Sequence, residues 1–566
     1  MGRWSGAVLG LLAVSAMAAP VQRSADDAGT IYLGAIADQD WGRPLASGDL
    51  DGDGYDEVIV AASESWGGVL SRVYVVRGGP DAHRRGTMDL MVGGVDQVIL
   101  GAGVDDNLGC SIATGDVNGD QIDDLLLCAS TADFSGLTDA GIAYLIYGGP
   151  NFFASSTRDL SDPAAEWDVR FGGPVSYGDM GGANAFGGVD THAAAIGRLN
   201  SDGYGDVVLG VHLATGSAST AGRVYVVMGQ AFASGTTLSL SAAASFHVLV
   251  YGDDQDDELG EYVLTGDLTG DGIDELILPN RNYSQYLFDT EGAVHIYRGT
   301  DSWTKYNYLA STLAPITLLG YRAYDELGEA AAVGDFNGDG IVDLAAAAPG
   351  AELGAHTIQR GDGFVYGLLG STAYQTGTFV IDYATATPDF LLIGEPEENL
   401  GQQTSAGDFN GDGYDDIAAA EWFAGPETNG AVEVLFGRDF TGNPTFTANV
   451  DTDVHFLGAP QDRISFSLSA GDVDSNGVDE VLFGTPFNNG EYPDEAGTVY
   501  VFTLVDGDSD GDGDVDLYDY AKLQYCFFLP APPTQHDECY VFDLEADGTL
   551  DLADYAEFAE RVTGPS

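Results

Sequence analysis

Acidic residues recur in this chain at a spacing that suits a hard divalent cation. In DFNGDGIVD, residues 335–343, oxygen-bearing side chains fall at positions 1, 3, 5 and 9 as Asp335, Asn337, Asp339 and Asp343, and Ile341 at position 7 offers its backbone carbonyl. Alternate residues of a tight loop converge on one point, where Ca²⁺ takes about six to eight oxygens; Gly340 at position 6 permits the sharp turn. Mg²⁺ fits less well, because it keeps more of its water and demands octahedral geometry.

The pattern is written seven times, with copies starting at Asp49, Asp116, Arg198, Asp267, Asp335, Asp408 and Asp472, 64 to 82 residues apart. The other full sets are Asp49, Asp51, Asp53, Glu57; Asp116, Asn118, Asp120, Asp124; Asp267, Thr269, Asp271, Glu275; Asp408, Asn410, Asp412, Asp416; and Asp472, Asp474, Asn476, Glu480. One such cluster alone reads equally well as a plain Asp/Asn/Gly turn. Agreement across six copies favours metal binding. The third copy has Arg198 at position 1, followed by Asn200, Asp202 and Asp206. Its guanidinium is expected to take the place of the ion, leaving about six Ca²⁺ for the repeats.

Loops this regular need a rigid frame. Each lies between two apolar runs of strand length, as at 108–114 and 122–129. A third run follows a glycine, as in RVYVVR (72–77), IAYLIY (142–147) and RVYVVM (223–228), and a fourth precedes the next loop, as in ITLLG (316–320) and FLLIG (390–394). Short β-rich runs bounded by glycine read as antiparallel strands, four per repeat. The run IYLG at 31–34 stands before the first loop, while the last repeat ends after its third strand near Leu504. An N-terminal strand that completes the last blade closes a ring and removes both exposed edges. The expected fold is therefore all-β: a seven-bladed β-propeller of four-stranded blades, with a linear β-solenoid as the runner-up.

These loops and strands resemble the FG-GAP repeat proteins, the propeller family that includes the integrin α-subunit head. The FG element is seen at Phe186-Gly187, with Leu-Gly at 108–109, 259–260, 327–328 and 400–401; the GAP element is nearest at 348–350 and 484–486. The resemblance spans roughly 29–505 and implies a calcium-bearing binding or adhesion platform. It departs from integrins in having no later membrane-spanning run, so a membrane-spanning receptor role is not carried over.

After Val505 the composition changes. Two further loops offer Asp508, Asp510, Asp512, Asp516, Asp519 and Asp543, Glu545, Asp547, Asp551, Asp554 at positions 1, 3, 5, 9 and 12, the twelve-residue EF-hand spacing with Asp in place of Glu at position 12. Each runs into a short amphipathic segment, carrying Leu517, Tyr520 and Leu523 or Leu552, Tyr555 and Phe558. Two loop-helix units of this kind resemble a dockerin, which implies a small α-helical EF-hand pair at 506–566, two more Ca²⁺ and a cohesin-like or cell-surface anchor as partner. The pairs at loop positions 10 and 11, Leu517-Tyr518 and Leu552-Ala553, differ from the Ser-Thr type of many dockerins. An inert calcium cap is the alternative.

Residues 1–18 read as a secretory signal peptide: Arg3, an apolar stretch at 7–14, and Ala16-Met17-Ala18 for cleavage. A secreted, extracellular or cell-surface protein is expected. Export makes two cysteine pairs readable, Cys110 with Cys128 and Cys526 with Cys539, either as disulfides or as free buried thiols. The formal charge of −69 excludes nucleic acid and anionic membranes as partners, since both require basic patches. An extracellular protein or glycan ligand fits better.

No HExxH or phosphate-cradling loop is present, the one GxSxG match, GDSDG at 507–511, falls inside an acidic EF-hand-type loop and not at a strand-to-helix elbow, and the eight histidines are scattered over different repeats. No catalytic residue is assigned. The competing class is a carbohydrate-active enzyme such as a polysaccharide lyase, with tyrosine and arginine from several blades meeting in the central channel. The irregular stretch 151–185, with His192, Arg198 and His212, is the place to look for a specific ligand.

Overall fold

The computed structural model describes residues 21–504 apart from 25–27, 35–39, 64–69, 81, 83–85, 91–92, 162–166, 183–191, 216–218, 285–289, 304–306, 310–313, 353–360, 426–428, 443, 459–463, 465 and 486–496. The expected signal peptide, the EF-hand pair, Cys526, Cys539, Phe186 and Gly187 lie outside them.

Seven sheets form the blades of a ring. Blade 1 runs Asp40–Gly48, Glu57–Ser63, Arg72–Val76 and Gln97–Leu100, each antiparallel to the one before. The expected four strands recur in every repeat, but each sheet has a fifth. In blade 1 it is Thr157–Asp159, which pairs parallel to Gln97–Leu100 and comes from the third-to-fourth connection of the next repeat. That donation absorbs much of the stretch 151–185: with Val169–Gly172, the fourth strand of blade 2, it is ordinary blade structure rather than an insertion.

The ring closes twice. Thr30–Leu33 pairs antiparallel with Thr498–Phe502 as the fourth strand of blade 7. Val21–Ser24 lies parallel to Val454–Leu457 as the fifth strand of blade 6. A solenoid is thereby ruled out.

The cores lie between blades, not within them. Second strands such as Asp124–Ala129 and Asp416–Glu421 are buried throughout their length, because alternate side chains enter opposite interfaces. Leu125 and Leu127 pack toward blade 1, whereas Leu126 and Cys128 pack toward blade 3. Seven such clusters run round the ring; the last joins Val58 and Val60 to Leu482 and Val499 across the closure, with Tyr32 from the closing strand.

The proposed bridge between Cys110 and Cys128 is not formed. Both are free, buried thiols. A bulge between Leu108 and Ile112 turns Cys110 so that its Sγ donates to the Gly181 carbonyl at 3.6 Å, and burial pushes its thiol up to about 12.

Tyr32 is 1% exposed and belongs to the closing strand. Tyr32→Ala is expected to cost about 3–5 kcal/mol, as for other large aromatic truncations, measured by urea unfolding. A loss below about 1 kcal/mol would mean that the closure does not hold the ring.

Candidate metal centres

All seven loops join the first strand of a blade to its second, so they share one face of the ring with the third-to-fourth connections. All but the third are built on the same hub. The position-1 carboxylate accepts the amides of positions 4 to 6: Asp49 takes Gly52, Asp53 and Gly54 at 2.8 to 3.1 Å, and Asp408 takes Gly411, Asp412 and Gly413 at 2.8 to 3.1 Å. Asp116 likewise takes all three, Gly119, Asp120 and Gln121, and Asp267, Asp335 and Asp472 take those of positions 5 and 6. Position 5 caps the amide of position 7, as Asp53 does for Tyr55 and Asn476 for Val478. Position 6 sits in the left-handed region, with Gly340 at φ 82° and, in loop 2, Gln121 at φ 70°.

The position-9 carboxylate begins the second strand and is buried in every loop. Glu57 and Glu480 accept the amides of Leu50 (2.7 Å) and Val473 (3.0 Å); Asp124 and Asp416 accept those of Val117 and Phe409 at 2.9 Å. These bonds leave oxygens over. Asp51 Oδ1, Glu57 Oε1, Asp343 Oδ2 and Glu480 Oε1 are buried without a hydrogen-bond partner. Buried carboxylate oxygens are costly unless a proton or a cation satisfies them. In loops 1 and 7 three carboxylates, Asp49, Asp51, Glu57 and Asp472, Asp474, Glu480, place oxygens within 4.8 Å of one another. Loops 2, 4, 5 and 6 substitute Asn118, Thr269, Asn337 or Asn410 at position 3, which contributes a neutral oxygen to the same arrangement.

The electrostatics agree. Burial, reinforced by neighbouring carboxylates, lifts Glu57, Glu275 and Asp416 to about 8 and Asp124 and Asp343 to about 7. Glu480 is raised well above its usual range for the same reason. Acids placed so that they cannot all ionise are what a divalent cation resolves. The donor sets fit Ca²⁺, with Asp, Asn, Thr and Glu oxygens supplying the charge and coordination.

Loop 3 differs, and not as expected. Arg198 is exposed and acts on Asp274 of the next loop: burial raises that carboxyl, and the Arg198 amide and charge offset only part of the rise. Asp206 is still lifted to about 7 by burial. What replaces the missing hub is Asp301, whose Oδ1 accepts the Ser201 amide at 2.9 Å and its hydroxyl at 2.7 Å, while the Trp303 indole donates to the Leu199 carbonyl at 2.8 Å.

Sequence reasoning overlooked position 8. Its amide donates to the carbonyl of position 1 in the loop before it: Asp123 to Asp49, Gly205 to Asp116, Asp274 to Arg198, Val342 to Asp267, Asp415 to Asp335, Asp479 to Asp408 and, closing the ring, Asp56 to Asp472, at 2.7 to 3.3 Å. The recurrence of Asp at this position in five of the seven copies was the available signal. All ten expected EF-hand ligands, Asp508 to Asp554, lie outside the described residues.

The central channel has a volume of ≈ 290 Å³ and is lined by the first strands, with Ser47, Thr114, His192, Tyr262, Thr404 and Ser469 among its walls. Two of its polar groups bond to the wall: Thr114 Oγ1 donates to Ser47 O at 2.7 Å and Tyr262 Oη to Ala331 O at 3.2 Å. His192 packs on Tyr262 at 4.8 Å, and burial lowers it to about 4. No arginine is among the described lining residues, so the expected meeting of tyrosine and arginine is not seen there. His212 and His295 are buried in separate blades, and His455 pairs with Glu433.

The family model for the FG-GAP repeat matches residues 41–76, 327–366, 400–435 and 466–502, which carry loops 1, 5, 6 and 7. The chain carries FG-GAP repeats. It is 27% identical to integrin alpha-V of Gallus gallus over 234 residues, covering 40% of this chain and 20% of that protein. It is 32% identical to integrin alpha-IIb of Mus musculus over 199 residues, covering 33% and 17%. The matches thus span about a fifth of these relatives. Two solved structures, rhamnogalacturonan lyase YesW and the Bacillus licheniformis rhamnogalacturonan lyase PL11, overlap with TM-scores of 0.33 and 0.25 at 11% and 13% identity, covering 82% of this chain and 72% and 59% of theirs. Overlaps of that quality say nothing about chemistry. Among the described residues no helix is long and apolar enough to cross a membrane.

Excess chelator is expected to lower the melting temperature strongly, because each site held at about 100 times its Kd adds about 2.7 kcal/mol. An unchanged melting curve would count against metal in these loops. Arg198→Asp combined with Ser201→Gly rebuilds the position-1 hub and is expected to add one Ca²⁺ per chain, counted by elemental analysis.

Proposed function

We propose that the chain is a secreted, calcium-stabilised, non-catalytic binding or adhesion protein. Six loops, those beginning at Asp49, Asp116, Asp267, Asp335, Asp408 and Asp472, hold Ca²⁺ and brace the blades. The observation that carries this reading is the set of buried carboxylate oxygens that no group of the protein satisfies. Residues 1–18 direct export, and 506–566 form a dockerin-like module with two more Ca²⁺ that attaches or assembles the protein.

Ligand recognition belongs on the face opposite the metal loops. There the turns from each fourth strand to the next blade carry Val104, Tyr177, Tyr321 and Tyr324, four of the six exposed large hydrophobic side chains among the described residues. Tyr177 and Tyr324 hold φ of 56° and 68°, a costly conformation for a bulky residue. Exposed aromatic rings among acidic turns suit an extracellular protein or a glycan.

The test is an array of glycans and extracellular proteins probed with and without Ca²⁺, followed by product analysis on each hit. Calcium-dependent retention without turnover is expected, weakened about tenfold or more by Tyr324→Ala at a hot spot. Release of shortened oligosaccharides would instead establish the carbohydrate-active alternative.

A further inference from the structure

The loops are not independent of one another. At position 8 an aspartate carboxylate doubles the backbone link between neighbours in four of its five places: Asp415 Oδ2 accepts the Asp335 amide at 2.7 Å, Asp479 Oδ2 accepts the Asp408 amide at 3.0 Å, and Asp274 Oδ2 accepts the Arg198 amide at 2.7 Å. Asp123 likewise accepts from the Asp49 backbone. Asp56 faces loop 7 in the same way, its Oδ2 lying 2.9 Å from where a side chain on Gly471 would begin. Both backbone groups of a position-1 ligand are then held by the residue that directly precedes the position-9 ligand of the adjacent loop.

This chain of clamps is interrupted in two places. Gly205 gives loop 3 no carboxylate with which to hold loop 2. Val342 stands at position 8 of loop 5, against Gly266, so Asp267 of loop 4 is held only by the Val342 amide, at 3.3 Å the longest link in the ring. On its other side, Asp274 of loop 4 clamps the Arg198 amide at 2.7 Å, in the loop that lacks a position-1 carboxylate. Loops 5, 6, 7, 1 and 2 therefore form one clamped arc, and loop 4 stands apart.

Resting on the calcium reading above, we propose that Ca²⁺ fills loops 5, 6, 7, 1 and 2 as a coupled set and loop 4 independently. An ion that draws in the position-9 carboxylate of one loop also fixes the position-8 residue beside it. The position-1 ligand of the neighbouring loop is thereby ordered before its own ion arrives, and the second ion meets a smaller ordering cost. Each ion also cancels negative charge beside the next site, which acts in the same direction.

The experiment is a calorimetric Ca²⁺ titration of the full-length chain, with bound ions counted by native mass spectrometry. Besides the two ions assigned to residues 506–566, wild type is expected to show a steep phase of five ions and a separate phase of one ion for loop 4. Asp415→Ala and Asp479→Ala, which alter no ligand, should keep the ion count and flatten the steep phase, with neighbouring sites weakened about fivefold or more. Asp274→Ala, the matched control at the same position, should leave the shape unchanged. Val342→Asp should draw loop 4 into the steep phase. If the two clamp variants titrate like wild type, or Val342→Asp leaves loop 4 separate, the coupling is wrong while the calcium sites stand. If mass spectrometry finds no ion on the propeller, the calcium reading itself fails.

Discussion

Each blade packs several carboxylates of like charge against a handful of backbone amides, and nearly everything else in the ring accommodates that conflict. The amides of positions 4 to 6 and of position 2 point inward because Asp at position 1 and Asp or Glu at position 9 accept from them. Those bonds position the acids but do not neutralise them. Burial of the position-9 group leaves an oxygen that no group of the protein satisfies, a demand that a proton or a cation would meet. Loop 3 resolves the same conflict without a position-1 acid, by recruiting Asp301 and Trp303 from the next repeat's connection.

The position of these loops ties their chemistry to the mechanics of the ring. Every position-9 acid is also the first residue of a second strand, and those strands carry side chains into the cores on both sides. A disturbance at a loop is thus felt in two inter-blade interfaces. The fifth strands act in the same sense at the outer edge, since each is a piece of one repeat built into the sheet of its neighbour. Neighbouring blades are in this way connected at the metal loops, through the cores and at the rim.

The channel and the opposite face are different environments. Small and aliphatic first-strand residues converge on the axis, and the Thr114 and Tyr262 hydroxyls bond across to the adjacent blade's carbonyls. These bonds stitch the inner wall together. On the face away from the metal, by contrast, tyrosines are displayed on turns held in a left-handed conformation. Such conformations persist where the surroundings over-determine them.

Much of this was readable from the residues alone, because a repeat states its own rules several times. Copy number, the four main strands, the ring closure by the run at 31–34 and the donor sets all follow from spacing and apolar periodicity. The fifth strands escaped notice since short polar segments such as Thr157–Asp159 acquire strand character only from the neighbour they pair with. Cys110 and Cys128 have suitable sequence positions for a bridge, yet a bulge decides where Cys110 points. Arg198 has the right place to imitate an ion, yet its exposure and the reach of Asp301, 100 residues further on, settle how that loop is filled. Sequence by itself determined which atoms are available as ligands, as local spacing fixes what a nine-residue turn can gather. The tertiary structure alone decided which loops hold one another, because that depends on the residue at position 8 meeting position 1 of a neighbour that lies some seventy residues away in the chain and one hydrogen bond away in the ring.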